Sequence, residues 1–264
     1  MPAAADAANV TVANGTITFN AAPGETNTAV VVKQQTTPVA TVYFVGDQNP
    51  AVTVTASPTQ GCLPTPPALG LPEGYLCTVT LITPITSIVE NLGDGNDTGV
   101  IRTDASGPSG TINGGTGDDT LVGGHENDTF NGGTGADLAA YVGITAAGIT
   151  RTAPVTATLP PGASPSTGNG QAGENDSIAT DVEGLIGGNG NDTLRGNDAA
   201  NQILGAAPIG TGNGVVDTPA GNDTIVGIGG DDTIVAGDRG LILGNEGNDT
   251  LVGGRSTAAG EKTV

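Results

Sequence analysis

The chain has no tryptophan, one methionine, one histidine, three phenylalanines and three tyrosines in 264 residues. So few large side chains cannot fill a thick globular core of the usual kind. Cations are scarce as well, with seven Lys and Arg against 27 Asp and Glu and a formal charge of −20. That balance repels phosphate backbones and anionic lipid, so nucleic acid is excluded as a partner. It also opposes compaction unless cations neutralise it. No apolar run is long enough to span a membrane, and no window shows a helical period. The opening PAAADAANVTV has neither a basic nor a hydrophobic signal region, so a secretion leader is expected to have been removed, or the chain trimmed. The chain contains no H-E-x-x-H, no G-x-S-x-G and no phosphate-cradling glycine motif, and its only histidine, His125, falls at a variable turn position. An enzyme is not expected.

What the chain does have is 45 glycines, 17 prolines and an apolar fraction drawn mostly from Ala, Val, Ile and Leu. This composition suits thin layers of stacked short strands. A nine-residue period runs through it. Residues 114–140 read GGTGDDTLV, GGHENDTFN and GGTGADLAA, with Asp119, Asp128 and Asp137 at the sixth positions. The period returns at 187–204 with Asp192 and Asn201, and at 218–235 with Asp223 and Asp232. After the degenerate AGDRGLIL comes GNEGNDTLV with Asp249, and the earlier LGDGNDTGV supplies Asp97. Each unit is a six-residue Gly/Asn/Asp turn followed by a three-residue strand, whose middle place is held by Leu121, Phe130, Leu194, Ile203, Ile225, Ile234 and Leu251. Side chains alternate along a strand, so these seven should point inward. Stacked in register, the strands should form two parallel sheets around a thin aliphatic core, an all-β β-roll or β-solenoid.

Residues 1–88 carry period-two stretches such as VTVANGTITF, TAVVVKQ and CTVTLIT, read as a β-rich cap or an irregular start of the solenoid. Residues 89–255 are read as the solenoid and 256–264 as a flexible tail. Between about 141 and 186 the period breaks at TATLPPGASPSTGNGQAGEN, read as a surface loop. Cys62 and Cys77 flank a Pro- and Gly-rich bend that can bring its ends together, which predicts a disulfide and an oxidising compartment.

The units match G-G-x-G-x-D-x-U-x, and over most of 92–254 the sequence resembles the RTX calcium-binding repeat family. PGETNT, ITSIVENLGDGNDT and AGENDSIATDVEGLIGGNGNDTL also resemble segments of secreted actinobacterial calcium-binding repeat proteins. The resemblance implies that two nonapeptides make one coil, that each repeat stacks on the next but one, and that several Ca²⁺ ions lie between stacked turns. It pairs Asp119 with Asp137, 18 residues on, and absorbs the 22 residues from Asp97 to Asp119 as one coil with an insertion. The 17 residues from Asp232 to Asp249 make a coil with one deletion.

Residue chemistry agrees, because Ca²⁺ takes six to eight oxygens from carboxylates and carbonyls. Glycines at the first, second and fourth positions are expected to adopt positive φ and let carbonyls converge on the ion. The candidate ligand set is Asp97, Asp119, Asp128, Asp137, Asp192, Asp223, Asp232 and Asp249. The expected turn glycines are Gly95, Gly115, Gly117, Gly124, Gly133, Gly135, Gly188, Gly190, Gly221, Gly230 and Gly247. Glu183 is a longer candidate at a sixth position. Glu126, in place of a fourth-position glycine, and Asn201, in place of an acid, each weaken their own turn. The implied protein is a secreted or cell-surface monomer. An adhesin or polysaccharide-binding face using the position-seven threonines is the alternative reading, and an accessory module of a secreted hydrolase a lesser one.

Overall fold

The computed structural model describes residues 7–38, 40–49, 53–56, 61–65, 74–80, 83–104, 107–142, 153–188, 190–205, 215–218, 222–229, 233–236 and 239–253. Every regular element among them is a β-strand. The chain divides into two compact units, Met1–Asp137 and Leu138–Val264.

The first unit contains β1 (Ala8–Ala13), β2 (Thr16–Asn20), β3 (Thr28–Thr36), β4 (Ala40–Asp47), β5 (Val54–Ala56) and β6 (Cys62–Pro64). It continues with β7 (Gly74–Thr80), β8 (Ser87–Asp94), β9 (Thr98–Arg102), β10 (Ser109–Thr116), β11 (Thr120–Val122) and β12 (Thr129–Thr134). From β8 onward successive strands alternate between two sheets, ordered β12-β10-β8-β2-β1-β5 and β11-β9-β3-β4-β7-β6. Pairing is parallel from β12 through β10 and β8 to β2, and from β11 through β9 to β3. This is a β-roll, in which each coil contributes one strand to each sheet. The antiparallel strands follow local turn chemistry. Asn14 and Gly15, at φ 51° and 78°, make the tight turn that folds β1 onto β2. Cys62 and Cys77 sit directly opposite each other on β6 and β7, and the expected disulfide joins them.

The inward row of the first unit includes Ile17, Phe19, Ile88, Leu92, Ile112, Leu121 and Phe130, all fully buried. Each such side chain contributes about 1.5–3 kcal/mol. One inward place departs from this pattern. Glu90 lies in register with Phe19 and Ile112 and is fully buried, although nothing in its sequence context marks it as unusual. Gly99 makes the space, since a methyl group there would lie 2.8 Å from Glu90 Oε2 and 2.7 Å from Ile112.

The second unit contains β13 (Leu138–Ala140), β14 (Val155–Thr158), β15 (Ser166–Gln171), β16 (Asp176–Ile178), β17 (Gly184–Ile186) and β18 (Thr193–Arg195). It ends with β19 (Gln202–Leu204), β20 (Val215–Thr218), β21 (Asn222–Gly229), β22 (Thr233–Ala236), β23 (Arg239–Glu246) and β24 (Thr250–Val252). Its sheets run β24-β22-β20-β18-β14-β15-β16 and β23-β21-β19-β17-β13. Two expectations fail here. The stretch 141–186, read as a surface loop, contains β14 to β17. Pro, Gly and Ser mark its turns, but a strand of three or four residues takes its hydrogen bonds from neighbours such as β18, and Val155, Ala157 and Leu159 alternate inward. Leu251, expected in the core, is 47% exposed. Its strand is the outermost of its sheet among the described residues, so no described coil covers it.

Candidate metal centre

In the first unit the sixth-position acids form a column tied to the main chain. The amide of Asn27 donates to Oδ1 of Asp97 at 2.6 Å, that of Asp97 to Oδ1 of Asp119 at 2.8 Å, and that of Asp119 to Oδ1 of Asp137 at 2.8 Å. All three aspartates are at most 2% exposed. One carboxylate oxygen thus replaces a strand carbonyl as acceptor from the coil before. The other oxygen, Oδ2, of Asp97 and of Asp119 is buried without any hydrogen-bond partner. A buried carboxylate oxygen in that condition is costly unless a cation meets it.

The glycines explain the turn's shape. Second- and fourth-position residues Gly93, Gly95, Gly115, Gly117, Gly133 and Gly135 all have φ between 94° and 141°, which only glycine adopts without strain. A side chain at Gly115 or Gly117 would also run into the carbonyl of Gly93 or Gly95 in the coil before, and one at Gly133 or Gly135 into that of Gly115 or Gly117. These carbonyls therefore project from each turn toward the next. First-position glycines serve differently from the expectation. Gly114 has no positive φ, but a methyl there would strike Oδ2 of Asp119, so it is small to admit the acid. At the second and fourth places of two other turns, Gly124 and Gly190 also lack positive φ. Gly188 donates its amide to Oδ2 of Asp192 at 2.6 Å, and Gly190 packs against the main chain of Ala153 and Pro154. In the turn of Asp128, Glu126 replaces the glycine that would need positive φ.

The remaining candidates separate by surroundings. Asp128, 1% exposed, accepts the amide of Gly110 at 2.7 Å, so its coil neighbour is a glycine and not an acid. Asp192, also 1% exposed, accepts the amides of Val155 at 2.9 Å and Gly188 at 2.6 Å. Asp249 is half-buried and lies against Gly244, where a side chain would strike it. Gly247 has φ 135°. Asp223 belongs to β21, paired with Gly240, so the strand begins earlier there than the repeat predicts. Asp232, Gly221 and Gly230 lie outside the described residues. Asn201 accepts the amide of Asn197 at 2.8 Å and turns its NH₂ to Asn197 Oδ1 at 3.0 Å and the carbonyl of Glu183 at 3.3 Å, which places a donor where a cation would need an acceptor. Glu183 meets that turn through its carbonyl.

Two buried residues were missed by the repeat count. Asp176, fully buried, holds a sixth position in QAGENDSIA, disguised by Gln171 at the first place and Ser177 at the seventh. Asn27, 1% exposed, stands beside Asp97 in a segment without the glycine pattern. A further ladder runs at the ninth position, where Asn91, Asn113 and Asn131 each donate Nδ2 to Oδ1 of the asparagine before, at 2.7 Å, back to Asn20.

Electrostatics follow from burial. Asp97 is pushed up to about 6 by burial, countered by the Asn27 amide and reinforced by Asp119, Asp47 and Asp94. Asp192 is pushed up to about 6 by burial against the pull of the Val155 and Gly188 amides. Burial raises Asp119 too, with its own amide contact from Asp97 opposing and Asp118 adding to the rise. Among the described residues no three His, Cys, Asp or Glu side chains gather as a metal cluster would require. A cation between two turns would therefore take its remaining ligands from projecting carbonyls. All-oxygen coordination with few carboxylates suits a hard, flexible-shelled ion such as Ca²⁺.

Stacked coils with glycine-cleared, oxygen-lined turns define a calcium-binding β-roll. A family model of the RTX calcium-binding nonapeptide repeat matches the chain in four copies, at residues 109–139, 185–207, 209–238 and 241–256. These stretches are RTX repeats, which bind several Ca²⁺ ions. The turn of Asp97 precedes the matched residues. No curated protein matches the chain.

Proposed function

We propose that this is an extracellular calcium-binding repeat protein whose repeats fold as they take up Ca²⁺ between stacked turns. The observation that carries the reading is the column Asp97–Asp119–Asp137, with the Oδ2 atoms of Asp97 and Asp119 buried and without hydrogen bonds. Asp119 and Asp137, with positive-φ glycines at both turns, form the best-built site. Asp97 extends it. Asp128, Asp192 and Asp223 belong to turns with degenerate partners, while Asp232 and Asp249 belong to one coil with a deletion. Residues 1–88 act as a cap on the solenoid of 89–255, since β2 and β3 continue the two sheets and antiparallel strands with the disulfide blunt the open edges.

Coupling to folding follows from charge. Buried acids repel one another around a thin core, and a cation relieves both the repulsion and the desolvation. Affinities of about 10⁻⁴ to 10⁻³ M, usual for extracellular modules, keep the repeats open at cytosolic calcium and folded outside the cell. Circular dichroism in chelator and then in millimolar Ca²⁺, with Mg²⁺ as control, tests this. Strand signal should grow with Ca²⁺ only. A signal already complete in chelator and indifferent to Ca²⁺ refutes the coupling.

A further inference from the structure

The turn between β2 and β3 has none of the repeat's glycine spacing, yet it occupies a repeat's place. Thr28 of β3 pairs with Thr98 of β9, which pairs with Thr120 of β11. One residue earlier, Asn27 stands beside Asp97 as Asp97 stands beside Asp119, with the same amide-to-Oδ1 bond. A methyl at Gly95 would lie 2.7 Å from the carbonyl of Glu25, just as one at Gly117 would strike the carbonyl of Gly95. It would lie 3.5 Å from Thr26 Oγ1, and the equivalent atoms are Asn96 Oδ1 at Gly117 and Asp118 Oδ1 at Gly135, at 2.9 and 3.1 Å. Residues 22–30 are thus a coil turn and strand without the repeat's sequence.

Its polar atoms are as incomplete as those of the repeats. Asn27 is 1% exposed and turned toward the next coil, where Nδ2 reaches the carbonyl of Leu92 at 3.5 Å, and its Oδ1 has no hydrogen-bond partner. Across β3, Asp47 is 1% exposed. Its Oδ1 accepts the amides of Thr28 at 3.0 Å and Asn49 at 2.7 Å, while its Oδ2 has no partner. Three buried oxygens, Asp47 Oδ2, Asn27 Oδ1 and Asp97 Oδ2, therefore lie around one turn with nothing to satisfy them.

We propose that turn 22–27 and turn 92–97 hold a further Ca²⁺ site between them. Asn27 Oδ1 and the Asp97 carboxylate are its side-chain ligands and the Glu25 carbonyl a main-chain one. Asp47 supplies nearby negative charge that Asn27 lacks. The inference rests on the reading that stacked turns bind calcium. With one carboxylate ligand where the Asp119–Asp137 site has two, it is the weaker site.

Equilibrium dialysis of the full chain against Ca²⁺, with circular dichroism on the same samples, tests it. Asn27→Leu should lower the saturating count by one ion per chain. Asn27→Asp keeps the oxygen, adds a charge and should tighten one site by about tenfold without changing the count. Should Asn27→Leu fail to fold in Ca²⁺, the Asn27→Asp isotherm decides. Isotherms of Asn27→Asp and of folded Asn27→Leu that superimpose on wild type, while Asp119→Ala still loses ions, overturn this site alone. A wild-type chain that binds no Ca²⁺ overturns the broader reading instead.

Discussion

The main-chain amide of Asp119 donates a 2.8 Å hydrogen bond to Oδ1 of Asp137, eighteen residues further on. The bond holds one oxygen of the Asp137 carboxylate against the coil before, so the contact that stacks the coils also sets the position of an acid proposed as a ligand.

Asp119→Ala removes both a proposed ligand and the acceptor for the Asp97 amide, and should lower the number of bound Ca²⁺ ions. Asn201→Ala should leave that number unchanged but cost about 1 kcal/mol of stability, because the part-buried Asn197 amide loses its acceptor. Ion counting by dialysis and thermal melts of both variants check this pair. Equal ion losses from both would contradict the register.

Asp97 and Asp192 titrate near pH 6 in the folded, metal-free chain. Both lie above the ordinary carboxylate value, so their contribution to folding is present in acid and is lost as the pH rises through about 6. In chelator, strand signal should therefore increase as the pH falls from 7.5 toward 4.5. Ca²⁺ requires the ionised form, so its affinity should move the opposite way and weaken below pH 6. Pairing circular dichroism in chelator with calcium titrations at each pH reads both trends.

Reducing the Cys62–Cys77 bond should cost about 3 kcal/mol in the chain-entropy model for a loop of this length. Melting the calcium-loaded chain with and without reductant measures the loss. Calcium stoichiometry at saturation should be unaffected, since the bond lies between β6 and β7, away from the turns. Thiol titration of the denatured, unreduced chain should find no free cysteine.

Glu90 is held well above the usual carboxylate range by burial, with Asp128 and Asp47 adding to the rise and the Val100 and Val31 amides opposing it. Neither carboxyl oxygen makes a full hydrogen bond. Glu90→Leu, of similar volume, should stabilise the chain by about 1–3 kcal/mol at pH 8. The gain should shrink in acid, where the native carboxyl is neutral. Denaturant melts at pH 8 and pH 5 make the comparison, and a destabilised variant at pH 8 would show that the acid is needed in the core.

The sequence by itself determined what a single unit must satisfy locally. Positive φ demanded glycine at Gly93, Gly95, Gly115, Gly117, Gly133 and Gly135, and the inward strand position demanded Leu121, Phe130, Ile203 or Ile225, so the period, the two parallel sheets and the acids of 92–140 were legible. Cys62 and Cys77 were legible from the bend between them. Only the tertiary structure decided which turn lies beside which. Asp128 neighbours Gly110, Asn27 neighbours Asp97 across 70 residues, Asp176 carries a disguised sixth position, and 141–186 supplies strands. Those placements depend on hydrogen bonds and burial provided by adjacent coils. A segment held in this way need not carry the repeat's signature, as Asn27 in its glycine-poor turn does not, and a core acid such as Glu90 is tolerated only because Gly99, in a different coil strand, leaves room for it.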